Sequence, residues 1–348
     1  MSPLNVAILA YPGCFASEVY GVADLLTISD HVAARTAGAD ASFTTSVVSP
    51  RRRVLASGEV PLAVRPPAGV DLLVVPGFEL APGVDVQERL ATLTLEVATI
   101  RDHADRGLPV VSVCVGAFLL GAAGLLDGRR ATTAWLYAPE LARRYPLADV
   151  ASEELVVTDR GVTTAAAFSA MYDAVLDLVG RQCGTDVARR AARITLLDDA
   201  RSGQTPYVDE DLLPTTGTEF EASVRRWLDQ HLAEPYDLQR LAAACHLSTR
   251  TLLRHFRQAT GQSPRAYLLG ARARRARVLL EQTDQSIGEI HRSVGYTDPG
   301  AFRTLFIRHV GLSPRDYRAS FRQSAARRPT QTPTQGVASG HPVVAGAS

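Results

Sequence analysis

The sequence predicts an α/β domain, a parallel sheet flanked by helices, followed by an all-α domain that contains two helix-turn-helix units. Three observations predict it. Strand-like apolar runs alternate with helical patterns through the first 200 residues, the last third repeats itself at an offset of 50, and the charge changes sign between the two parts. A β-α-β-α order builds a parallel sheet covered on both faces, and a repeated helical segment implies two copies of one supersecondary unit. A chain of 348 residues suits two domains.

In chain order, strands are expected at 6–9, 43–48, 71–75 and 109–113, with helices over 16–29 and 86–106. The runs Asp71-Leu-Leu-Val-Val-Pro-Gly77 and Pro109-Val-Val-Ser-Val-Cys114 are almost unbroken apolar segments, as strands buried on both faces require. The uncharged stretch 108–126 approaches bilayer-spanning length. Pro109, Ser112 and three glycines divide it instead into a strand, a turn at Cys114 and a helix opening near Gly116. Helical patterns over 167–181 and 186–200 complete a first domain at 1–200. Residues 201–217 mix Pro, Gly, Thr and acids as linkers do. Residues 218–322 read as the second domain, and 323–348 as a disordered tail too poor in apolar residues to build a core.

Residues 1–217 hold 18 Arg against 26 acidic residues, and 218–322 hold 17 Arg against 10, so charges of −8 and +7 hide in a whole-chain net of +1. Such asymmetry marks a basic module with a polyanionic partner, nucleic acid before others. All 37 basic residues are Arg, so placement carries the information and abundance does not. Cys14, Cys114, Cys183 and Cys245 lie far apart with no CxxC spacing, which excludes a disulfide framework or zinc site and points to the reducing cytoplasm. The N-terminus lacks the basic start and cleavage site of a signal peptide. No cofactor, metal or membrane partner is expected.

The repeat brings Gly261-Gln-Ser-Pro-Arg-Ala-Tyr267 back as Gly311-Leu-Ser-Pro-Arg-Asp-Tyr317, and Phe256 back as Phe306. Each copy has a first helix with apolar spacing (Leu238, Leu241, Cys245; Ile287, Ile290, Val294), a tight turn, and a second helix capped by Ser248 or Asp298. Pro299 follows Asp298 where a helix tolerates proline. In the second helices Leu252, Phe256, Phe302 and Phe306 form the apolar face. Arg250, Thr251, Leu253 and Arg254 in one, and Gly300, Ala301, Arg303 and Thr304 in the other, are left outward. Arginine's planar donors match guanine's two major-groove acceptors, so Arg250, Arg254 and Arg303 are the candidate base readers. From Leu238 to Leu280 there are nine Arg and no acid, and Arg272 and Arg275 on the joining helix are expected to meet phosphate. Arginines alone equally describe a solvated helix face; the two capped units favour DNA. This pattern resembles the AraC/XylS family of transcription regulators over 218–322, above all in SIGEIHRSVGYTDPGAFRTLFIRHVGLSPRDYR. The resemblance implies two recognition helices held by one linking helix and inserted into successive major-groove segments of double-stranded DNA. It also implies contact with RNA polymerase, activation, and the DNA-facing roles of the residues just named.

In the first domain, VVSVCVGAFLLGAAGLLDGRRATTAW places Cys114 at a sharp strand-to-helix turn, where a nucleophile is held at a helix N-terminus and its thiolate is favoured. Glu18, after YPGCFAS, can approach the same crevice beyond the carboxyl ends of the strands, with backbone donors at Gly77 and Val115. These features resemble the ThiJ/PfpI-type domains of the class I glutamine amidotransferase-like, flavodoxin-like fold over about residues 1–185. Enzymes of that superfamily activate the cysteine with a histidine, and related regulators commonly read ATTHW where this chain reads ATTAW, with Ala134 in the histidine's place. His31 and His103, the domain's two histidines, are expected on outer helix surfaces. An enzyme using Cys114 and Glu18 as a hydrolase or hydratase is the competing reading, and it lacks a base. The resemblance implies instead a homodimerising domain with a possible small-molecule effector or an oxidation-sensitive Cys114.

Overall fold

The apolar runs condense into one sheet because strands of this kind leave nothing polar to face water. The computed structural model describes residues 3–37, 42–80, 85–198, 201, 203–209, 212 and 218–326. It divides into two compact units, Met1–Thr215 and Thr216–Ser348.

The first unit runs β1 (Leu4–Leu9), α1 (Ala16–Ala37), β2 (Phe43–Val48), β3 (Val54–Leu55), β4 (Pro61–Leu62), β5 (Leu72–Val75), α2 (Val86–Ala91), α3 (Thr94–Asp105), β6 (Val110–Val113) and α4 (Ala117–Ala122). It continues with β7 (Arg130–Ala131), α5 (Ala138–Arg144), β8 (Asp149–Val150), β9 (Val156–Asp159), β10 (Val162–Ala165), α6 (Ala170–Cys183) and α7 (Thr185–Ile194). The main sheet has the order β2-β1-β5-β6-β10-β9. Its first five strands are parallel and β9 closes the edge antiparallel to β10. Taken in chain order, those five parallel strands give the flavodoxin-like order 2-1-3-4-5, whose switch point lies between β1 and β5. Every residue of β5 and β10 is buried, as helices on both faces demand.

Several elements differ from the sequence expectation. The helix expected over 16–29 runs on to Ala37, because Ser29 turns its hydroxyl back onto Leu25 O at 2.7 Å and needs no solvent. The helix expected over 86–106 is two, broken where Leu93 leaves helical geometry after Thr92 caps α2. The helix expected over 186–200 ends at Ile194, and residues 199–200 lie outside the described residues. The hairpin β9–β10 was not anticipated; Arg160 and Gly161 both have positive φ, 47° and 82°, the signature of a two-residue turn that matches strand twist. Part of the expected linker is docked on the first unit. Gln204 is buried and Arg201 donates to Ser169 Oγ at 2.9 Å and pairs with Asp173. Residues 210–211 and 213–217 of that linker lie outside the described residues.

The second unit comprises α8 (Glu219–Gln230), α9 (Leu238–Ala244), α10 (Thr249–Thr260), α11 (Pro264–Gln282), α12 (Ile287–Ser293), α13 (Pro299–Val310) and α14 (Pro314–Ala326). Helix α14 therefore enters the expected tail, whose residues 327–348 lie outside the described ones. The 50-residue offset is physical. Ser248 and Asp298 cap α10 and α13, both helices end on left-handed glycines (Gly261, Gly311), and Pro264 and Pro314 open α11 and α14. Each copy has its own core. One holds Leu241, Leu252, Phe256 and Tyr267; the other holds Ile290, Phe302, Phe306 and Tyr317. The rings of Phe256 and Tyr267 meet edge-on at 6.2 Å, and those of Phe306 and Tyr317 at 5.6 Å. No helix of the described residues is long and apolar enough to cross a membrane.

Asp298 accepts from Gly300 N at 3.2 Å and Ala301 N at 2.8 Å, satisfying two donors that α13 cannot satisfy itself. Asp298→Ala should loosen this first turn by about 1 kcal/mol, seen as roughly fivefold faster amide exchange at Gly300 and Ala301, with α10 unchanged.

Candidate functional site

Two sites emerge, one in each unit. In the second unit, Leu252 and Phe256 of α10 and Phe302, Leu305 and Phe306 of α13 turn inward. The opposite faces carry Arg250 and Arg254, both exposed, with Thr251 and Leu253 half-buried, and Gly300, Ala301, Arg303 and Thr304, all exposed. The hydroxyls are engaged locally: Thr251 Oγ1 lies 2.8 Å from Ser248 Oγ, and Thr304 donates to Gly300 O at 3.0 Å. Arg275 is exposed on α11, as a phosphate contact needs.

Arg272 is not so placed. It is 7% exposed, its Nε donates to Leu232 O at 2.8 Å and its Nη2 to Glu234 O at 2.5 Å, and its guanidinium lies 5.3 Å over the Tyr296 ring. The expected phosphate contact is therefore corrected to an internal clamp. Arg274 and Arg277 also lie over rings, those of Tyr267 and Tyr317. Arg272 falls among the buried positions of α11, where two backbone carbonyls and an aromatic face compensate its charge, whereas Arg275 falls on the exposed side.

In the first unit, Glu18, Gly77, Cys114 and Val115 converge at the sheet's switch point. Glu18, in the first turn of α1, is fully buried, and its Oε2 accepts from Gly77 N at 2.5 Å. Its Oε1 is buried with no hydrogen-bond partner among the described residues. Gly77 allows this close approach: a Cβ there would stand 3.2 Å from Cys114 Cβ and 3.3 Å from Glu18 Oε2, tight enough that its neighbours would have to shift. Cys114 has φ 53°, the strained elbow expected after β6, and Thr133 holds its carbonyl at 2.8 Å. Burial raises the Glu18 carboxyl to about 7, against the pull of the Gly77 N–H.

The expectation that helix-end donors favour a Cys114 thiolate is corrected. Burial, then the adjacent Glu18 charge, push the thiol up to about 12, and the Val115 and Phe168 N–H groups offset only part of that. A three-residue turn followed by a six-residue helix supplies too small a dipole to overcome desolvation. His103 is corrected as well: it is 2% exposed, not on an outer surface, and bonds Pro109 O at 3.1 Å. Pro109 precedes β6 and Cys114 follows it, so this histidine sits at the far end of the strand, roughly 15 Å away. His31 is exposed on α1. Ala134 is buried, and its loop is held by a residue that sequence reasoning missed. Gln204 donates to Thr133 O at 2.9 Å and accepts from Trp135 N at 2.9 Å. No local pattern marks Gln204, which contacts residues about 70 positions earlier. Tyr11, whose hydroxyl donates to Pro76 O, was likewise missed. Among the described residues no cluster of His, Cys, Asp and Glu can hold a metal ion.

The raised Glu18 fixes a pH dependence. From its ordinary 4.5 to about 7 the unfolded chain ionises while the folded carboxyl keeps its proton, so stability falls as pH rises through that window, by about 3 kcal/mol in total. Glu18→Gln should gain stability over wild type by roughly 2 to 3 kcal/mol more at pH 8 than at pH 4; a constant difference across denaturation curves would contradict this. Cys114 should alkylate with iodoacetamide at neutral pH at least about tenfold more slowly than an unperturbed thiol, as peptide mass spectrometry would report.

Two family models match the chain: the DJ-1/PfpI family over residues 6–181, and a helix-turn-helix domain over 241–320. The chain is 30% identical over 253 residues to the HTH-type transcriptional regulator GbdR of Pseudomonas aeruginosa, covering 70% of this chain and 68% of that protein. It is 42% identical over 92 residues to the HTH-type transcriptional activator RhaS of Escherichia fergusonii, covering 26% of this chain and 33% of that one. An AraC family transcriptional regulator from Pseudomonas putida has a crystal structure that aligns with a TM-score of 0.45 at 23% identity, over 56% of this chain and 100% of its own. The chain belongs to the DJ-1/PfpI family and, within it, to the AraC-type regulators that carry such a domain ahead of a helix-turn-helix module.

Proposed function

We propose that the protein is a sequence-specific DNA-binding transcription regulator acting in the cytoplasm. The observation that carries this reading is the pair of capped second helices, α10 and α13, presenting exposed Arg250, Arg254 and Arg303 from two copies of one unit. Arg250, Arg254 and Arg303 read base edges, Thr251, Gly300, Ala301 and Thr304 approach them closely, and Arg275 meets phosphate. Activation through RNA polymerase is the mode favoured by the AraC-type module.

The first domain homodimerises and senses, through the crevice of Glu18, Gly77, Cys114 and Val115, either a small molecule or oxidation of Cys114. Catalysis is not proposed. Ala134 occupies the place of the base, Cys114 is a neutral thiol, and His103 is spent on Pro109. Glu18 keeps one carboxyl oxygen without a partner among the described residues, beside the Cys114 thiol, which suits recognition of a small polar ligand better than acyl transfer.

Genome-wide capture with the purified protein should yield a discrete sequence motif. Arg250→Ala and Arg303→Ala should each relax it at a different position and cost about 1 to 3 kcal/mol there, whereas Arg275→Ala should weaken all sequences alike and flatten the salt dependence. Absence of any preferred sequence would sink the reading. Cys114→Ala should still bind the motif, neither form should turn over amide, peptide or aldehyde substrates, and under the oxidation reading peroxide should change the DNA affinity of wild type but not of Cys114→Ser.

A further inference from the structure

The two recognition helices must meet DNA at a fixed separation, and the long helix α11 that joins their units is one means of fixing it. A second means lies beside it. The turn after α8, Leu232 to Glu234, leads into the first helix-turn-helix unit, and the turn Gly295-Tyr296 lies between the two helices of the second. Arg272 holds both turns. Its Nε and Nη2 take the Leu232 and Glu234 carbonyls at 2.8 and 2.5 Å, and its guanidinium plane covers Tyr296. The turns also touch directly: a Cβ on Gly295, whose φ is +83°, would stand 2.6 Å from Ala233 O and 2.9 Å from Arg272 Nη2. Leu232 packs against both cores at once. On the far side, His291 Nδ1 lies 2.9 Å from Tyr296 O, and the Tyr296 ring meets Phe302 of α13 at 6.0 Å. A planar, permanently charged fork suits this place, since it satisfies two carbonyls and an aromatic face in one geometry.

We infer that Arg272 is a positioning residue that sets the separation and relative twist of α10 and α13, and with them the spacing between the two DNA segments the protein accepts. Each unit keeps its own aromatic core without Arg272, so losing the clamp loosens the joint and not the folds. The inference rests on the DNA-binding reading but is separable from it.

The experiment selects sites from random-sequence duplexes with the full-length chain, then measures binding to the best two-part site and to versions with one base pair inserted or removed. One base pair shifts the second segment by about 3.4 Å and about a tenth of a turn, so wild type should lose about tenfold or more at either altered spacing. Arg272→Gln should bind the best site more weakly yet hold all three spacings within about threefold of one another. Gly295→Ala, whose Cβ would crowd both Ala233 O and the Arg272 guanidinium, should flatten the profile likewise and keeps the test open if Arg272→Gln does not fold. Arg272→Lys, still charged but unable to bridge both carbonyls, should fall between. A general affinity loss with the wild-type spacing ratios retained in both Arg272→Gln and Gly295→Ala would overturn the inference and leave α11 as the sole ruler. Failure of wild type to select any two-part site would overturn the DNA-binding reading and this inference with it.

Discussion

A single hydrogen bond, from the Gly77 N–H to the Glu18 carboxyl, organises the crevice of the first domain. It joins α1, which follows the first strand, to the loop after β5, and those strands are the neighbours between which the sheet changes direction. Gly77 carries no side chain, so Cys114 and the Glu18 carboxyl can both stand close against it. One donor is too little to solvate a carboxylate with its other oxygen unpartnered, so the group rises toward neutrality instead of ionising freely. The same burial denies the neighbouring thiol its charge. One enclosure thus keeps the thiol neutral and brings the carboxyl into the neutral pH range.

In the second unit the deciding balance is between helix burial and charge. The nine arginines between Leu238 and Leu280 form a dense positive field in the sequence, yet Arg272, Arg274 and Arg277 are drawn inward by backbone carbonyls and tyrosine faces. Arg240, Arg250, Arg254, Arg257, Arg265 and Arg275 remain exposed. The inward arginines hold the unit's shape and the outward ones carry its potential toward an anionic partner. A guanidinium serves both ends because its five donors form a fixed planar fork with an aromatic-compatible face.

The repeat made the second unit almost fully legible: Ser248, Asp298, Pro299 and the glycines at 261 and 311 are local signals whose meaning depends on their own backbone. The parallel strands were legible for a similar reason, since β5 and β6 are buried on both faces and show unbroken apolar runs. What escaped depends on distant partners. Arg272 reads as one more basic residue until the 232–234 turn is folded against it, and His103 looks like a surface residue until Pro109 is placed beside its ring. Glu18 and Cys114 could be brought together from sequence only through resemblance, and their protonation could not be read at all, because helix-end donors and burial oppose each other and only the enclosure decides the outcome. The hairpin β9–β10 had a signal in the short Val- and Thr-rich runs on either side of Arg160-Gly161.

Ala134 and the attachment of the connecting segment fall on the same loop. Ala134 sits between Thr133 and Trp135, whose carbonyl and N–H are both taken by the Gln204 side chain, while the Thr133 hydroxyl holds the carbonyl of Cys114. Gln204 in turn is fixed by Glu153 O at its own backbone, with Arg201 tied to Ser169 and Asp173 close by. Ser169 follows Phe168, whose N–H also faces the thiol. The wall of this site is therefore bound on two sides to Arg201 and Gln204, so that the site and the segment after α7 are parts of one hydrogen-bonded structure.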